Sequence, residues 1–197
     1  DDIVLLDRSV SREAVEGVLC TMVAALEDES ATFLAIAEHF RDKTRTMQYG
    51  EAIPFSSSKK WSGLSIENEG SYVLGAAEFV YFNHLDVRDT SDDVLAGTIK
   101  EYADTGRRVL LLAHSGQPFR DRDLPEGLKP VALLVLSDQI RVEAHDTLRF
   151  FREQGVELKV ISGDSPATVA NVAKTAGLEN ADSYVDASVL TDEELAK

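Results

Sequence analysis

Two apolar runs in the last third of the chain, residues 131–137 and 156–162, constrain the fold more than any other feature of the sequence. The first, VALLVLS, is continuously apolar, which is typical of a strand buried on both faces. The helical pattern RVEAHDTLRFFREQG lies between the runs and ends at Gly155, and a second helix, SPATVANVAKTAGL, follows the run VELKVIS. This alternation of strand and helix predicts a parallel, three-layer arrangement with right-handed crossovers.

The first 130 residues follow another pattern, in which helices precede short strands. Residues 11–40 have the apolar periodicity of helices, and Ser11 is placed to cap the first of them. Further on, GLSIENEGSYVLGA predicts a hairpin that turns at residues 68–70, and the helix VLAGTIKEYADTG and the buried strand RRVLLLAHS follow it. We therefore predict an α+β domain with an antiparallel sheet and flanking helices.

The segment 115–130 is polar and rich in Pro and Gly, as connections between domains often are. It predicts an α+β domain over residues 1–129 and part of an α/β domain over residues 130–197. The chain begins DDIVLLD, without an initiator Met, so we expect it to be an excised segment.

The charge and composition exclude several classes of function. A net charge of −15 repels nucleic acid, and no apolar run approaches the ~20 residues that a membrane-spanning helix needs. The single cysteine, Cys20, excludes an internal disulfide and suits a reducing cytosol. The four histidines lack metal-ligand spacing, so we predict no metal site. A phosphorylated ligand would need a local basic patch, for which SKKW (58–61) and GRRV (106–109) are the candidates.

The motif VISGDSPATVANVAK joins the end of a predicted strand to a helix. Ligands of open α/β sheets lie outside the carboxyl ends of the strands, where a hydroxyl group and helix N–H groups can hold a phosphoryl oxygen. Ser162, Gly163 and Asp164 occupy this position, and Asp138 and Arg141 follow the preceding strand in the same way. Taken alone, Ser-Gly-Asp-Ser also fits a tight turn with an N-cap.

Residues 137–178 resemble the phosphorylation domain of P-type cation-transporting ATPases over about 40 residues in order. The family pattern is Asp-x-x-Arg, a helix, Gly, a strand, Thr-Gly-Asp and a Thr-Ala helix, and Ser162 here keeps the hydroxyl group of the threonine. The resemblance implies a partial Rossmann-like, haloacid-dehalogenase-like phosphorylation domain at 130–197. It also implies that the phosphoryl group is held by Ser162, Gly163 and Asp164 and that the site is braced by Asp138 and Arg141.

The first domain resembles the nucleotide-binding domain of the same family. PFSSSKKWSGL is similar to the family segment Phe-Ser-x-x-(Arg/Lys)-Lys, which implies that Phe55 stacks on adenine and that Lys60 approaches the nucleotide. GRRVLLLA is similar to the strand Arg-x-Leu-x-Leu-Ala, which makes Arg108 the phosphate-side arginine.

The sequence departs from the family pattern at two positions of the nucleotide site. YVLGAAE keeps Gly75 and Ala76, which leave space beside a ligand, but Leu74 stands where most relatives carry lysine. Lys59 is the cation expected to compensate. The family's acidic adenine-pocket residue aligns with Phe33.

A third departure concerns the string DKTRT at residues 42–46, which is close to the phosphorylation signature Asp-Lys-Thr-Gly-Thr. Asp42 follows an amphipathic helix, lies within the nucleotide-binding domain and has Arg45 where the signature has glycine. We infer that Asp42 is not the nucleophile, and that the phosphorylated aspartate is outside this chain.

These resemblances imply an ATP-binding fragment of a membrane pump that couples ATP hydrolysis, through an aspartyl phosphate, to transport of a cation, with calcium the expected ion. The implied cofactors are ATP and Mg²⁺, with the metal ligands mostly outside this chain. The implied partners are ATP or ADP and the remaining phosphorylation, actuator and transmembrane domains of the parent. The fragment is expected on the cytoplasmic side of the cell membrane and is expected to be inactive alone.

Two alternatives stay open at this point. A phosphatase of the haloacid-dehalogenase type would need an Asp-x-Asp motif, but Asp7 is followed by Arg8 and Ser9. A non-enzymatic nucleotide-binding or regulatory module would keep the fold without catalysis, which Leu74 makes conceivable.

Overall fold

The structure is a computed structural model that describes residues 2–26, 28, 30–41, 46–84, 89–137, 140–162 and 166–185. Five residues singled out from the sequence lie outside these ranges: Asp42, Arg45, Asp138, Gly163 and Asp164. The chain divides into two compact units, the first comprising Asp1–Gly97 and Val109–Leu136, and the second Thr98–Arg108 and Ser137–Lys197.

Within these ranges, six strands form one sheet in the order β1-β6-β5-β4-β3-β2. The strands are β1 (Asp2–Leu5), β2 (Tyr49–Ile53), β3 (Trp61–Ile66), β4 (Gly70–Gly75), β5 (Arg107–Ser115) and β6 (Lys129–Ser137). The pairs β1–β6, β2–β3, β3–β4 and β4–β5 are antiparallel. The predicted antiparallel sheet and its hairpin are therefore confirmed, with Asn68 of the turn at φ 63°.

The described helices are α1 (Arg12–Ala25), α2 (Ala31–His39), α3 (Ala77–Val80), α4 (Thr90–Asp104), α5 (Ala144–Glu153) and α6 (Pro166–Thr175). The predicted cap is confirmed, because the Ser11 hydroxyl group accepts a hydrogen bond from the backbone N–H of Ala14 at 3.2 Å. None of the described helices combines the length and the apolar character that crossing a bilayer requires.

Helix α4 begins four residues earlier than the predicted Val94 because a carboxylate caps it. The Asp89 side chain accepts hydrogen bonds from the backbone N–H groups of Ser91 (2.7 Å) and Asp92 (3.1 Å). The Asp92 carboxylate in turn accepts from the Asp89 N–H at 2.9 Å, which makes a reciprocal capping box.

The core of the first unit lies between the sheet and the helices α1 and α2. Leu64 of β3, Leu74 of β4 and Leu112 of β5 belong to the same buried cluster as apolar residues of both helices. The buried Thr21 hydroxyl group joins α1 to the segment before β2, since it donates to Gly17 O (2.7 Å) and accepts from the Met47 N–H (2.9 Å).

The position of the strand at 131–137 corrects the sequence prediction. The run is a buried strand, as predicted, but it lies in β6 of the antiparallel sheet and pairs with β1, for example Leu134 with Ile3. The segment 115–130 therefore joins two neighbouring strands of one sheet rather than separate sheets. A continuous apolar run indicates burial on both faces, and here a position between β1 and β5 in the antiparallel sheet provides that burial.

The second predicted strand of the parallel portion is not observed, so the Rossmann-like arrangement is not confirmed. Residues 156–162 belong to no strand, and Val160 and Ile161 are 55% and 98% exposed. The flanking helices α5 and α6 are as predicted, including Gly155 at φ 74° after α5. A strand needs hydrogen-bonding neighbours, and none of the described strands lies beside this run. The division into domains at 129/130 stays a prediction.

Candidate functional site

The segment from Phe55 to Lys60 forms a compact turn before β3. The Lys60 N–H donates to Ser56 O at 2.7 Å, and Lys60 has a left-handed backbone with φ 62°. The side chain of Lys60 is exposed, and the Phe55 ring at the start of the turn is 43% exposed. The turn therefore fixes the backbone of a lysine and presents an aromatic ring and an ammonium group to solvent.

The end of β4 lies directly against this turn. The Ala76 N–H donates to Lys60 O at 3.2 Å. A Cβ atom on Gly75 would lie 2.5 Å from Lys60 O and 2.6 Å from the Trp61 Cβ atom. The structure thus brings together Lys60, Gly75 and Ala76 from two of the family-like segments. The close approach of the Lys60 carbonyl group accounts for the glycine without a ligand, and nucleotide binding by Gly75 and Ala76 stays a prediction.

The two positions that depart from the family pattern are both buried. Leu74 is 4% exposed and Phe33 is 6% exposed, and they belong to the same apolar cluster between the sheet and α1 and α2. Neither position offers a charge to a ligand. Leu74 and Phe33 thus replace the charged residues of the family pattern with apolar side chains that pack in the same core.

Lys59 is engaged with another part of the chain. Its ammonium group donates to Arg122 O at 2.6 Å, forms an ion pair with Asp123 Oδ1 at 3.1 Å, and lies 5.3 Å from the centre of the Trp61 ring. The compensating role predicted for Lys59 stays a prediction, and the structure adds a contact that the sequence did not indicate. The only sequence signal for that contact is the alternation of charge in FRDRD, residues 119–123.

The remaining predicted residues lie in the second unit. Arg108 is exposed at the start of β5, and its neighbour Arg107 lies 5.9 Å from the Tyr102 ring. Arg141 and Ser162 are also exposed. Because Asp138, Gly163 and Asp164 lie outside the described residues, the geometry of the phosphoryl-binding site stays a prediction. Among the residues that the structure covers, no three His, Cys, Asp or Glu side chains are grouped to hold a metal ion.

Asp7, which would be the nucleophile in the phosphatase alternative, has its carboxylate hydrogen-bonded within a local turn. Its carboxylate accepts hydrogen bonds from the Ser9 hydroxyl group (2.6 Å) and the Ser9 N–H (2.8 Å). The hydrogen bond from the Ser9 hydroxyl group holds the pKa of Asp7 below its ordinary value. This arrangement is that of an Asx turn after β1, and it gives the phosphatase alternative no support.

Comparison with known proteins identifies relatives along nearly the whole chain. The chain is 35% identical over 192 residues to the probable cation-transporting ATPase exp7 of Streptococcus pneumoniae, and the match covers 96% of this chain and 23% of that protein. It is 36% identical over 173 residues to the calcium-transporting ATPase CtpE of Mycobacterium tuberculosis, covering 88% of this chain and 21% of the relative. The chain thus spans about a fifth of the length of these relatives. No protein-family model matches the chain.

The fold is also found in a solved pump structure. A crystal structure of a zinc-transporting PIB-type ATPase in the E2.Pi state matches with a TM-score of 0.56 at 19% identity, covering 91% of this chain and 25% of that one. This likeness shows a shared fold, and the sequence relatives show the family. As the motifs predicted, the chain belongs to the P-type cation-transporting ATPases, of which it is a segment.

Proposed function

We propose that this chain is the ATP-binding segment of a membrane cation pump. P-type ATPases use ATP and Mg²⁺, and the parent protein would transfer the γ-phosphoryl group of ATP to an aspartate outside this chain. The contact that best supports the proposal is the hydrogen bond from the Ala76 N–H to Lys60 O, because it brings together two segments that resemble separate nucleotide-binding motifs of the family.

The adenine base would stack on Phe55, and Lys60 would lie near the phosphates, with Arg108 proposed as a further residue that binds phosphate. Stacking of a base on an aromatic ring contributes ~1–3 kcal/mol. Mg²⁺ would bind to the phosphates of the nucleotide and to carboxylates that are mostly outside this chain. Because the phosphorylated aspartate is elsewhere, the chain alone would bind ATP or ADP without hydrolysing it.

The second unit would contribute part of the phosphorylation domain. We propose that Ser162, Gly163 and Asp164 hold the phosphoryl group, with Asp138 and Arg141 beside them. The remainder of that domain would cover the apolar side chains that are exposed here, among them Val160 and Ile161. Pairing with its strands would turn residues 156–162 into the strand that the sequence predicts.

The transported ion is proposed from the relatives. CtpE is a calcium-transporting ATPase, and several further relatives share that description. We propose that this chain lies on the cytoplasmic side of the cell membrane, as part of a membrane pump that transports calcium and that supplies the actuator and transmembrane domains.

Titration with ATP or ADP while amide NMR shifts are recorded tests the nucleotide site. We expect the shifts to concentrate at residues 55–60 and 74–76. Replacing Phe55→Ala should weaken ATP binding by about tenfold, because ~1.4 kcal/mol of stacking corresponds to that factor. The matched control is Phe79→Ala, which removes another half-exposed phenylalanine of the same unit and should leave the affinity unchanged. Shifts that avoid both segments would refute the assignment.

A further inference from the structure

A tight turn at Arg120–Asp123 lies on the loop between β5 and β6. The Asp123 N–H donates to Arg120 O at 2.9 Å, and the two central residues, Asp121 and Arg122, have φ values of 52° and 60°. Residues other than glycine seldom adopt this left-handed conformation, which costs about 1 kcal/mol or more for each residue. Such a conformation persists where surrounding contacts hold it.

Two contacts hold this turn next to the candidate nucleotide site. The Phe119 ring stacks on Trp61 with 6.2 Å between ring centres and 6° between planes, and it fills the space above Gly63, where a Cβ atom would lie 2.5 Å from Phe119 Cζ. The second contact is made by Lys59, whose ammonium group binds Arg122 O and Asp123 Oδ1. Lys60 follows Lys59 directly in the chain, so the residue that holds the turn is the neighbour of a residue of the candidate nucleotide site.

The two segments together concentrate positive charge in an acidic protein. Arg120, Arg122 and Lys60 are exposed, whereas Asp123 is paired with Lys59 and Asp121 is exposed at the tip of the turn. Within the described residues, the guanidinium groups of Arg120 and Arg122 form no ion pair, although the chain has a net charge of −15. Guanidinium groups bind phosphate oxygens with paired hydrogen bonds, so this arrangement suits a polyphosphate.

We propose that Arg120 and Arg122 bind the β- and γ-phosphates of the nucleotide held by Phe55 and Lys60. The inference rests on the proposed function. Most relatives carry a lysine where this chain has the buried Leu74, and the two arginines would supply the positive charge that is missing there. Lys59 is the positioning residue, since it fastens the turn to the segment before β3.

The test compares ATP with AMP, which lacks the β- and γ-phosphates. We expect the double variant Arg120→Ala/Arg122→Ala to bind ATP about tenfold more weakly, since one or two charge-assisted hydrogen bonds are lost, and to bind AMP within twofold of the unmodified chain. Arg120→Lys/Arg122→Lys keeps the charge and should recover part of the ATP affinity. The control variant Arg8→Ala/Arg41→Ala removes two exposed positive charges elsewhere in the first unit and should change neither affinity by more than twofold.

The outcomes separate this inference from the proposed function. If Phe55→Ala weakens ATP binding but Arg120→Ala/Arg122→Ala does not, the inference about the turn is wrong and the proposed function stands. Equal weakening of ATP binding by Arg120→Ala/Arg122→Ala and by Arg8→Ala/Arg41→Ala would show a general charge effect and would also overturn the inference. If the unmodified chain binds neither ATP nor ADP, both proposals fail. Unchanged urea unfolding curves, followed through Trp61, confirm that the variants are folded.

Discussion

The two units of the chain differ in how far their apolar segments are buried and paired with neighbouring strands. In the first unit, each strand has a partner in the same sheet, and residues such as Leu64 and Leu112 are fully buried. In the second unit, α5 has no buried residue, and the apolar run at 156–162 is largely exposed. A helix forms its hydrogen bonds within itself, whereas a strand depends on a neighbour. Whether a helix forms therefore depends mainly on the local sequence. Whether a strand forms depends also on the presence of a partner strand.

Hydrogen exchange offers the strongest test of this comparison. We expect the amides of residues 131–136 in β6 to exchange at least about 100-fold more slowly than those of residues 157–162, because only the former lie in a paired strand. Protection of 157–162 in the isolated chain would contradict the comparison. Protection that arises only when the remainder of the pump is present would support the proposed completion of the phosphorylation domain.

Two substitutions, one in the core of the first unit and one at an exposed site of the second, test the comparison by their effect on the free energy of unfolding. Leu112→Ala removes a side chain that is 0% exposed, and we expect the free energy of unfolding to fall by about 2–5 kcal/mol. Ile161→Ala changes a side chain that is 98% exposed, and the expected change is below about 0.5 kcal/mol. Urea titration followed by circular dichroism measures both, with Trp61 fluorescence as a separate report on the first unit. A large loss for Ile161→Ala would show that this side chain is packed.

Gly75 in the first unit and Gly155 in the second are expected to resist substitution for different reasons, a close backbone approach and a left-handed backbone conformation. Gly75→Ala places a Cβ atom 2.5 Å from Lys60 O, so we expect a loss of about 1–3 kcal/mol from overpacking. Gly155→Ala meets no atom within 4 Å but has φ 74°, and the expected loss is about 1 kcal/mol. Gly155→Asn should cost less, since asparagine adopts this conformation more readily. Thermal unfolding ranks the three variants, and an unaffected Gly75→Ala would mean that β3 and β4 separate at this point.

The smallest expected effect on stability concerns the residues that cap the starts of helices α4 and α5. Hydrogen bonds, first from the Ser91 hydroxyl group, hold the pKa of Asp89 below its ordinary value, so its capping of α4 is complete above about pH 4 and is lost as the pH falls through the folded pKa. Asp89→Ala should therefore destabilise α4 at pH 7, with the difference from the unmodified chain shrinking at low pH. Asp89→Asn should retain most of the cap.

The control for this prediction is at the start of α5. Glu143 makes no side-chain capping bond there, and Glu143→Ala should change stability by less than about 0.5 kcal/mol at either pH. Hydrogen exchange of the first amides of each helix measures both effects. A pH-independent effect of Asp89→Ala would show that the carboxylate charge does not contribute to the cap.

Local features of the fold could be predicted from the sequence. The helix cap at Ser11, the turn at Asn68 and the helix end at Gly155 are all observed, because each depends on residues within one or two turns of the chain. The family was also predictable, since the motifs around Phe55 and Ser162 occur in a fixed order. The candidate nucleotide site was predicted only as separate segments.

The sequence by itself determined the helix cap at Ser11, the helix end at Gly155, which residues prefer burial and to which family the chain belongs. Only the tertiary structure decided three features: the run at 131–137 joins an antiparallel sheet, the run at 156–162 has no partner among the described strands, and Lys59 binds the turn at Arg120–Asp123. The physical reason is distance along the chain. Capping and turn geometry act between near neighbours, whereas β1 meets β6 across more than 120 residues and Lys59 meets Arg122 across 63.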